Sequence, residues 1–311
     1  MISQLDHPLF KLATSTKLTE HEWSSRQLIK TTDREEYEAQ LVEDFKTRSK
    51  HIQELITRHN SQLKENDVPI PEYYMHLGPF GETLLHVACL FGHYGIVKFM
   101  IDDLGPEKAN HLINQQYLEQ PFKGETALHI SIARGDIPLV ELLLKNGASL
   151  SKRCMGHFFH PPRLYVGDLP LTFAACIKTP NDSNKEMFDI IMKHVEDHAV
   201  PPAKSEENDP VAIEQTQIEA KRDLLKARDK YKGNTILHIL VMTGNIEMYD
   251  YIVQNYSEEA EILEKEENTA HVTPLVLCAQ LGNPQFFNFL VKRQREVHWK
   301  YGKTSFSYTR E

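Results

Sequence analysis

The chain has 311 residues, a net charge of −9 and an isoelectric point near 6.0. That acidic balance argues against a non-specific nucleic-acid binder, which needs a basic face. There is no apolar run near the ~18 residues of a bilayer span and no visible signal peptide. Four cysteines are too few for a disulfide scaffold, so the chain reads as cytosolic.

Residues 1–80 read as a helical N-terminal region. From Tyr37 the apolar positions Leu41, Phe45, Ile52, Leu55 and Ile56 keep close to helical spacing. His7-Pro8-Leu9-Phe10 suits a degenerate first repeat or a capping helix, and Asn60–Pro71 reads as a connection. A terminal repeat is expected to be atypical, because its outer face meets water.

From residue 81 to 292 a pair of short helices recurs. Its clearest copy is GETALHISIARGDIPLVELLLKNGA, residues 124–148. Thr126 stands at a helix N-cap, where a hydroxyl satisfies a first-turn N–H. Gly135 stops that helix, Pro138 opens a second one, and Leu139, Val140, Leu142 and Leu143 form its apolar side. This is the ankyrin pattern, and one such unit cannot bury its faces alone. The threonine position recurs as Thr83, Thr126, Leu169, Thr235 and Thr273, and nine residues later stand Gly92, Gly135, Lys178, Gly244 and Gly282. The third unit fits only with about five residues inserted in its turn near Pro180–Asn184. The expected fold is an all-α ankyrin-repeat solenoid with long fingers and short C-terminal β strands.

Several stretches exceed the repeat. Leu104–Phe122 is longer than a minimal unit needs and is expected to lie in a projecting finger. Residues 151–168, SKRCMGHFFHPPRLYVGD, form the next finger, with Phe158, Phe159, Arg163, Leu164 and Tyr165. Exposed aromatics call for a covering surface, either the finger's own repeat stack or another chain. Residues 199–232 make a long insertion in which Val211–Arg228 reads as a helix, a solvated side helix or a docking site. After Arg293 the repeat stops, and HWKYGKTSFSY (298–308) alternates Trp299, Tyr301, Thr304, Phe306 and Tyr308 around Gly302, which suggests paired strands. An edge with such aromatics wants a partner, and the chain reads as a fragment of a longer protein.

Three motifs narrow the reading. GHFFHPPRLYVGDLPLTFAAC (156–176), DKYKGNTILHILV (229–241) and WKYGKTSFSY (299–308) resemble, in order, the finger, fourth-unit and linker motifs of vanilloid-type transient receptor potential (TRPV) channels. The resemblance covers roughly residues 81–311. The long insertion and divergent first 80 residues look more like an invertebrate branch. It implies a cytosolic, non-enzymatic assembly and regulatory domain of a tetrameric calcium-permeable cation channel, on the cytoplasmic face of the plasma membrane. Residues 293–311 would open the linker toward a membrane part that lies outside this chain. Its partners would be other channel subunits, like or unlike. The finger residues Phe158, Phe159, Arg163 and Tyr165 would meet the segment holding Trp299 and Tyr301 of a neighbour. Calmodulin is a partner of some relatives and is left open here, as no strong basic amphipathic helix is present. The nucleotide site of some relatives is not carried over, because Glu82 and Val87 stand where lysines would be and only Phe122 and Lys123 remain from its rim. A free-standing ankyrin adaptor is the alternative.

No cofactor or metal is expected. His86, His129 and His238 read as repeat residues that bond backbone between units. His157 and His160 lack a Cys or Asp at ligand spacing, and no zinc-protease, serine-hydrolase or phosphate-loop motif occurs.

Overall fold

The structure is a computed structural model that describes residues 39–47, 49–50, 74, 77–159, 165–180, 182–199, 210–301 and 304–309, with backbone alone at 210–213 and 295–309. The chain divides into two compact units. The first is Met1–Arg163 with Thr179–Asn181, and the second is Leu164–Lys178 with Asp182–Glu311.

The first unit holds two helix pairs, α1 (Leu84–Phe91) with α2 (Tyr94–Ile113) and α3 (Ala127–Arg134) with α4 (Ile137–Lys145). α1 packs on α3 and α2 on α4, burying Leu84, Ile96, Met100, Leu128, Leu139 and Leu143. The caps explain why each helix begins and ends where it does. The Nδ1 of His86 accepts from the Thr83 backbone N–H at 3.0 Å and lies 2.9 Å from its hydroxyl. Thr126 and His129 repeat the arrangement. Gly92 and Gly135 then take φ near +72° and +73°, where a side chain is strained, and their N–H groups close the last turn.

The other ring nitrogen of His86 lies 3.1 Å from the carbonyl oxygen of Gln115, in the loop leading to the next repeat. A carbonyl only accepts, so Nε2 carries the proton and the Nδ1 acceptor role follows. Upstream, residues 39–47 are helical and lie on α2. Leu41 is buried, and the ring of Phe45 meets Phe99 edge-on at 6.0 Å. Tyr74 adds a hydrogen bond to Asp103 of 2.7 Å. Tyr37, Ile52, Leu55, Ile56, His7–Phe10 and Asn60–Pro71 lie outside the described residues.

One expectation needs correcting. The extra length at 104–122 does not all project. α2 kinks at Gly105 (φ 72°, ψ 170°) and resumes at Pro106, burying Ala109, Leu112 and Ile113. Proline suits a fresh first turn, where its missing N–H has no partner to lose. Asn110 and Asn114 on this added piece donate to the Gly147 carbonyl at 3.0 and 2.9 Å, strapping the two repeats together.

The second unit holds three pairs: α5 (Pro170–Cys176) with α6 (Asn184–Asp197), α8 (Ile236–Thr243) with α9 (Ile246–Asn255), and α11 (Pro274–Leu281) with α12 (Pro284–Gln294). α8 packs against both α5 and α11. The insertion contributes α7 (Pro210–Lys226), which lies on α6 and buries Leu225. A further helix, α10 (Ser257–Lys265), buries Ala260 and Leu263 and was not anticipated from its acidic sequence. In α8 the cap repeats, with His238 Nε2 2.8 Å from the Val272 carbonyl oxygen.

The third repeat departs from the pattern, and its departures compensate one another. Leu169 has no hydroxyl at the N-cap, and Thr172 stands where the first, second and fourth repeats have His86, His129 and His238. The Thr172 hydroxyl accepts from the Leu169 N–H at 3.3 Å and donates to the Leu169 carbonyl at 2.8 Å. With no glycine to end α5, Ile177 leaves in an extended conformation. Asn184 then caps the helix across the inserted turn, donating to the Ala174 and Ile177 carbonyls at 2.6 and 2.7 Å. All four cysteines are free and buried. At the C-terminus β1 (Arg295–Tyr301) and β2 (Thr304–Thr309) pair antiparallel, Tyr301 opposite Thr304, with an irregularity between Val297 and Trp299.

Candidate functional site

Three loops of the first unit converge on one apolar surface. The Tyr117 N–H donates to the Glu125 carbonyl at 2.8 Å and the Gly124 N–H to the Tyr117 carbonyl at 2.9 Å, closing the first finger on itself. The Glu119 N–H reaches back to the Phe80 carbonyl at 3.0 Å, and the Met155 and Phe158 N–H groups reach back to the Lys123 and Pro121 carbonyls at 2.8 and 3.1 Å. Two glycines permit this closeness. Gly124 sits at φ +89°, and a Cβ on it would meet the Arg153 carbonyl oxygen. A Cβ on Gly156 would meet the Pro121 carbonyl oxygen.

The rings then stack into a chain: Phe80 to Phe122 at 6.0 Å, Phe122 to Phe158 at 5.5 Å, and Phe158 to Phe159 at 5.2 Å, the first and last edge-on. Phe159 is only 4% exposed. Phe158, Phe80 and Leu118 remain 37%, 43% and 50% exposed. The two adjacent phenylalanines therefore divide the work: Phe159 anchors the short 3-10 turn His157–Phe159 to its own unit, and Phe158 faces outward. Phe80 and Leu118 belong to this surface as well. Sequence reading missed them because neither lies in the aromatic finger.

Polar groups lie next to the patch. Burial pushes the Glu125 carboxyl up to about 8. Burial also raises the Tyr117 hydroxyl, helped by the nearby Glu125 and Glu82 carboxylates. Glu82 accepts from the Phe80 N–H at 2.8 Å and Val87 is in the core. Both side chains are thus committed to the fold.

Tyr165 belongs to the second unit and is held differently. Its hydroxyl donates to Asp229, and its ring lies 5.6 Å from that of Tyr231. Burial first, and the Asp229 bond second, raise its hydroxyl. Asp229 also accepts from the backbone N–H groups of Lys232 and Asn234 at 2.8 and 3.1 Å and from the Asn234 amide at 2.8 Å. Asn268 donates on to Asn234 at 2.9 Å, and Asp168 accepts from the Lys230 N–H at 3.0 Å. Three successive loops share one buried polar thread, in which each acceptor is matched by a donor. Asp229 and Asn234 lie in the quoted 229–241 motif, but their role in this thread, and Asn268 altogether, escaped the sequence reading, since a polar loop residue carries no periodic signal.

Arg163 lies outside the described residues, and so does His160. Trp299 and Tyr301 lie on β1, described as backbone. Among the described residues no group of three or more His, Cys, Asp or Glu side chains converges as metal ligands, and no helix is long and apolar enough to cross a membrane.

Comparison with known proteins agrees with the repeat. The family described as ankyrin repeats (3 copies) matches residues 46–154. The chain is 29% identical over 233 residues to transient receptor potential cation channel subfamily V member 5 of Rattus norvegicus, covering 72% of this chain and 27% of that protein. It is equally similar to subfamily V member 6 of the same species, over 72% of this chain and 25% of the relative. Subfamily V member 2 of Mus musculus is 28% identical over 235 residues, 70% of this chain and 27% of the relative. The chain therefore spans about a quarter of the length of the curated relatives it matches.

Proposed function

We propose, for a chain that belongs to the ankyrin-repeat domains of TRPV channels, that it serves as a cytoplasmic assembly and regulatory domain of a tetrameric, calcium-permeable cation channel. It is a protein-interaction domain and not an enzyme. Residues 81–292 are its repeat region, preceded by a helical region at 1–80, and 293–311 begin the connection toward a membrane part.

The observation that carries the reading is the contiguous apolar patch of Phe80, Leu118 and Phe158, each more than a third exposed. Large apolar side chains gathered on fixed loops mark interaction surfaces, and aromatic anchors dominate interface energies. The partner surface is the segment holding Trp299 and Tyr301 of an adjacent subunit, and Arg163 and Tyr165 are further candidate contacts. The strand pair at 295–309 supports this, since a two-stranded ribbon alone is marginal and gains from a covering surface.

Co-expression of the full reading frame in two tagged forms tests the proposal. Phe158→Ala is expected to reduce co-purification of the tags, and in a separate pair of variants Phe158→Cys on one subunit is expected to form a disulfide with Trp299→Cys on its neighbour. Unchanged co-purification together with no such disulfide would refute it. The competing reading, a free-standing ankyrin adaptor, is favoured by the burial of Phe159 and the internal bond of Tyr165, and it requires a full reading frame without membrane spans.

A further inference from the structure

Two histidines on the insertion side of the second unit take no part in the interaction surface. His194 lies in the last turn of α6, and His198 is its C-terminal cap. Residues four apart share a helix face, and the two rings lie 4.1 Å apart by centroid with planes tilted by 35°. The Nδ1 of His198 is 2.8 Å from the His194 carbonyl oxygen. That bond requires Nδ1 to carry the proton and leaves a lone pair on Nε2. Metal-binding imidazoles are held in this way, one nitrogen on a backbone carbonyl and the other on the ion.

The surroundings favour a cation. The negative end of the α6 macrodipole lies at this turn, and the Asp197 carboxylate acts on His194. Glu196 is taken by Lys221 of α7 at 3.3 Å, so that lysine does not repel an ion unopposed. Imidazole nitrogen selects zinc, nickel or copper over calcium and magnesium, which prefer oxygen.

We propose that His194 and His198 form a two-imidazole site for a divalent transition-metal ion, with water completing its coordination. Such an ion would bridge the last turn of α6 and stiffen the surface on which α7, the helix of the long insertion, is packed.

Calorimetric titration of the 311-residue chain with zinc chloride near pH 7.5 tests the site, beside His198→Gln, His194→Gln and the double variant. His198 is exposed, so its substitution leaves the fold intact, and circular dichroism checks the others. One zinc per chain is expected to bind at least tenfold more weakly in each single variant and to be lost in the double variant. The thermal midpoint of the wild type should rise with zinc, that of His198→Gln should not, and calcium chloride should move neither. A zinc isotherm weakened less than tenfold in His198→Gln, or a stoichiometry unchanged in the double variant, overturns the proposal.

Discussion

Acid should weaken the repeat through His86, by an amount that can be worked out. The ring is buried, its Nε2 is committed to the Gln115 carbonyl and its Nδ1 accepts from Thr83. Desolvation by burial, opposed in part by the Gln115 bond, lowers its pKa from 6.5 to about 4. Below 6.5 the unfolded chain takes up a proton that the folded chain refuses. Stability from this residue is therefore present above 6.5 and lost as pH falls toward 4. Integrating from near pH 7.5 to near pH 5.0 gives a loss of about 2 kcal/mol, a large part of the stability of an ordinary domain. The raw pH profile does not isolate that loss. Glu125, raised to about 8, contributes with the opposite sign, because its folded form holds a proton that the unfolded form releases. The informative quantity is the difference between wild type and His86→Gln. Urea unfolding should show the variant less stable near pH 7.5 by about 1–2 kcal/mol for the lost bonds. That gap should shrink by about 2 kcal/mol near pH 5.0. A gap that is constant across this range would refute the assignment of a buried, neutral His86.

The paired phenylalanines should separate in a thermal melt. Phe159→Ala removes a buried ring and is expected to cost about 3 kcal/mol, whereas Phe158→Ala should cost under about 1 kcal/mol. Equal shifts would contradict the division between anchor and contact. Thr172→Val should cost about 1 kcal/mol, because it leaves the Leu169 N–H unsatisfied at a helix start. An unchanged denaturation midpoint would show that this hydroxyl is not the cap of the third repeat. Gly124→Ala should destabilise by more than about 1 kcal/mol, through its positive φ and the approach of the Arg153 carbonyl.

The repeats could be read from sequence because their signals are local. Thr83, Thr126, Thr235 and Thr273 each cap a helix, and Gly92, Gly135, Gly244 and Gly282 each end one in the left-handed conformation. Leu169 and Lys178 broke the pattern, and the reason emerges only in three dimensions, where Thr172 and Asn184 supply the missing caps. Leu104–Phe122 was misjudged because a Gly-Pro pair reads equally as loop or as a fresh helix start. The aromatic finger was visible as a run of rings. Both of its phenylalanines rest on Phe122, more than thirty residues upstream. The partner of Tyr165 stands at residue 229, across the whole insertion. No periodicity links such positions, because side-chain pairs between loops leave no spacing rule in the chain.

The thread from Tyr165 through Asp229 and Asn234 to Asn268 has a mechanical consequence. Helix pairs packed by apolar faces can slide, since dispersion contacts are many and undirected. Hydrogen bonds between buried side chains fix both distance and direction. A tug on the loop at Tyr165 would therefore travel sideways to the loop at Asn268 as a displacement, before any helix had to shift. The loops of this unit act as a tie-rod, and the helices behind them as the frame.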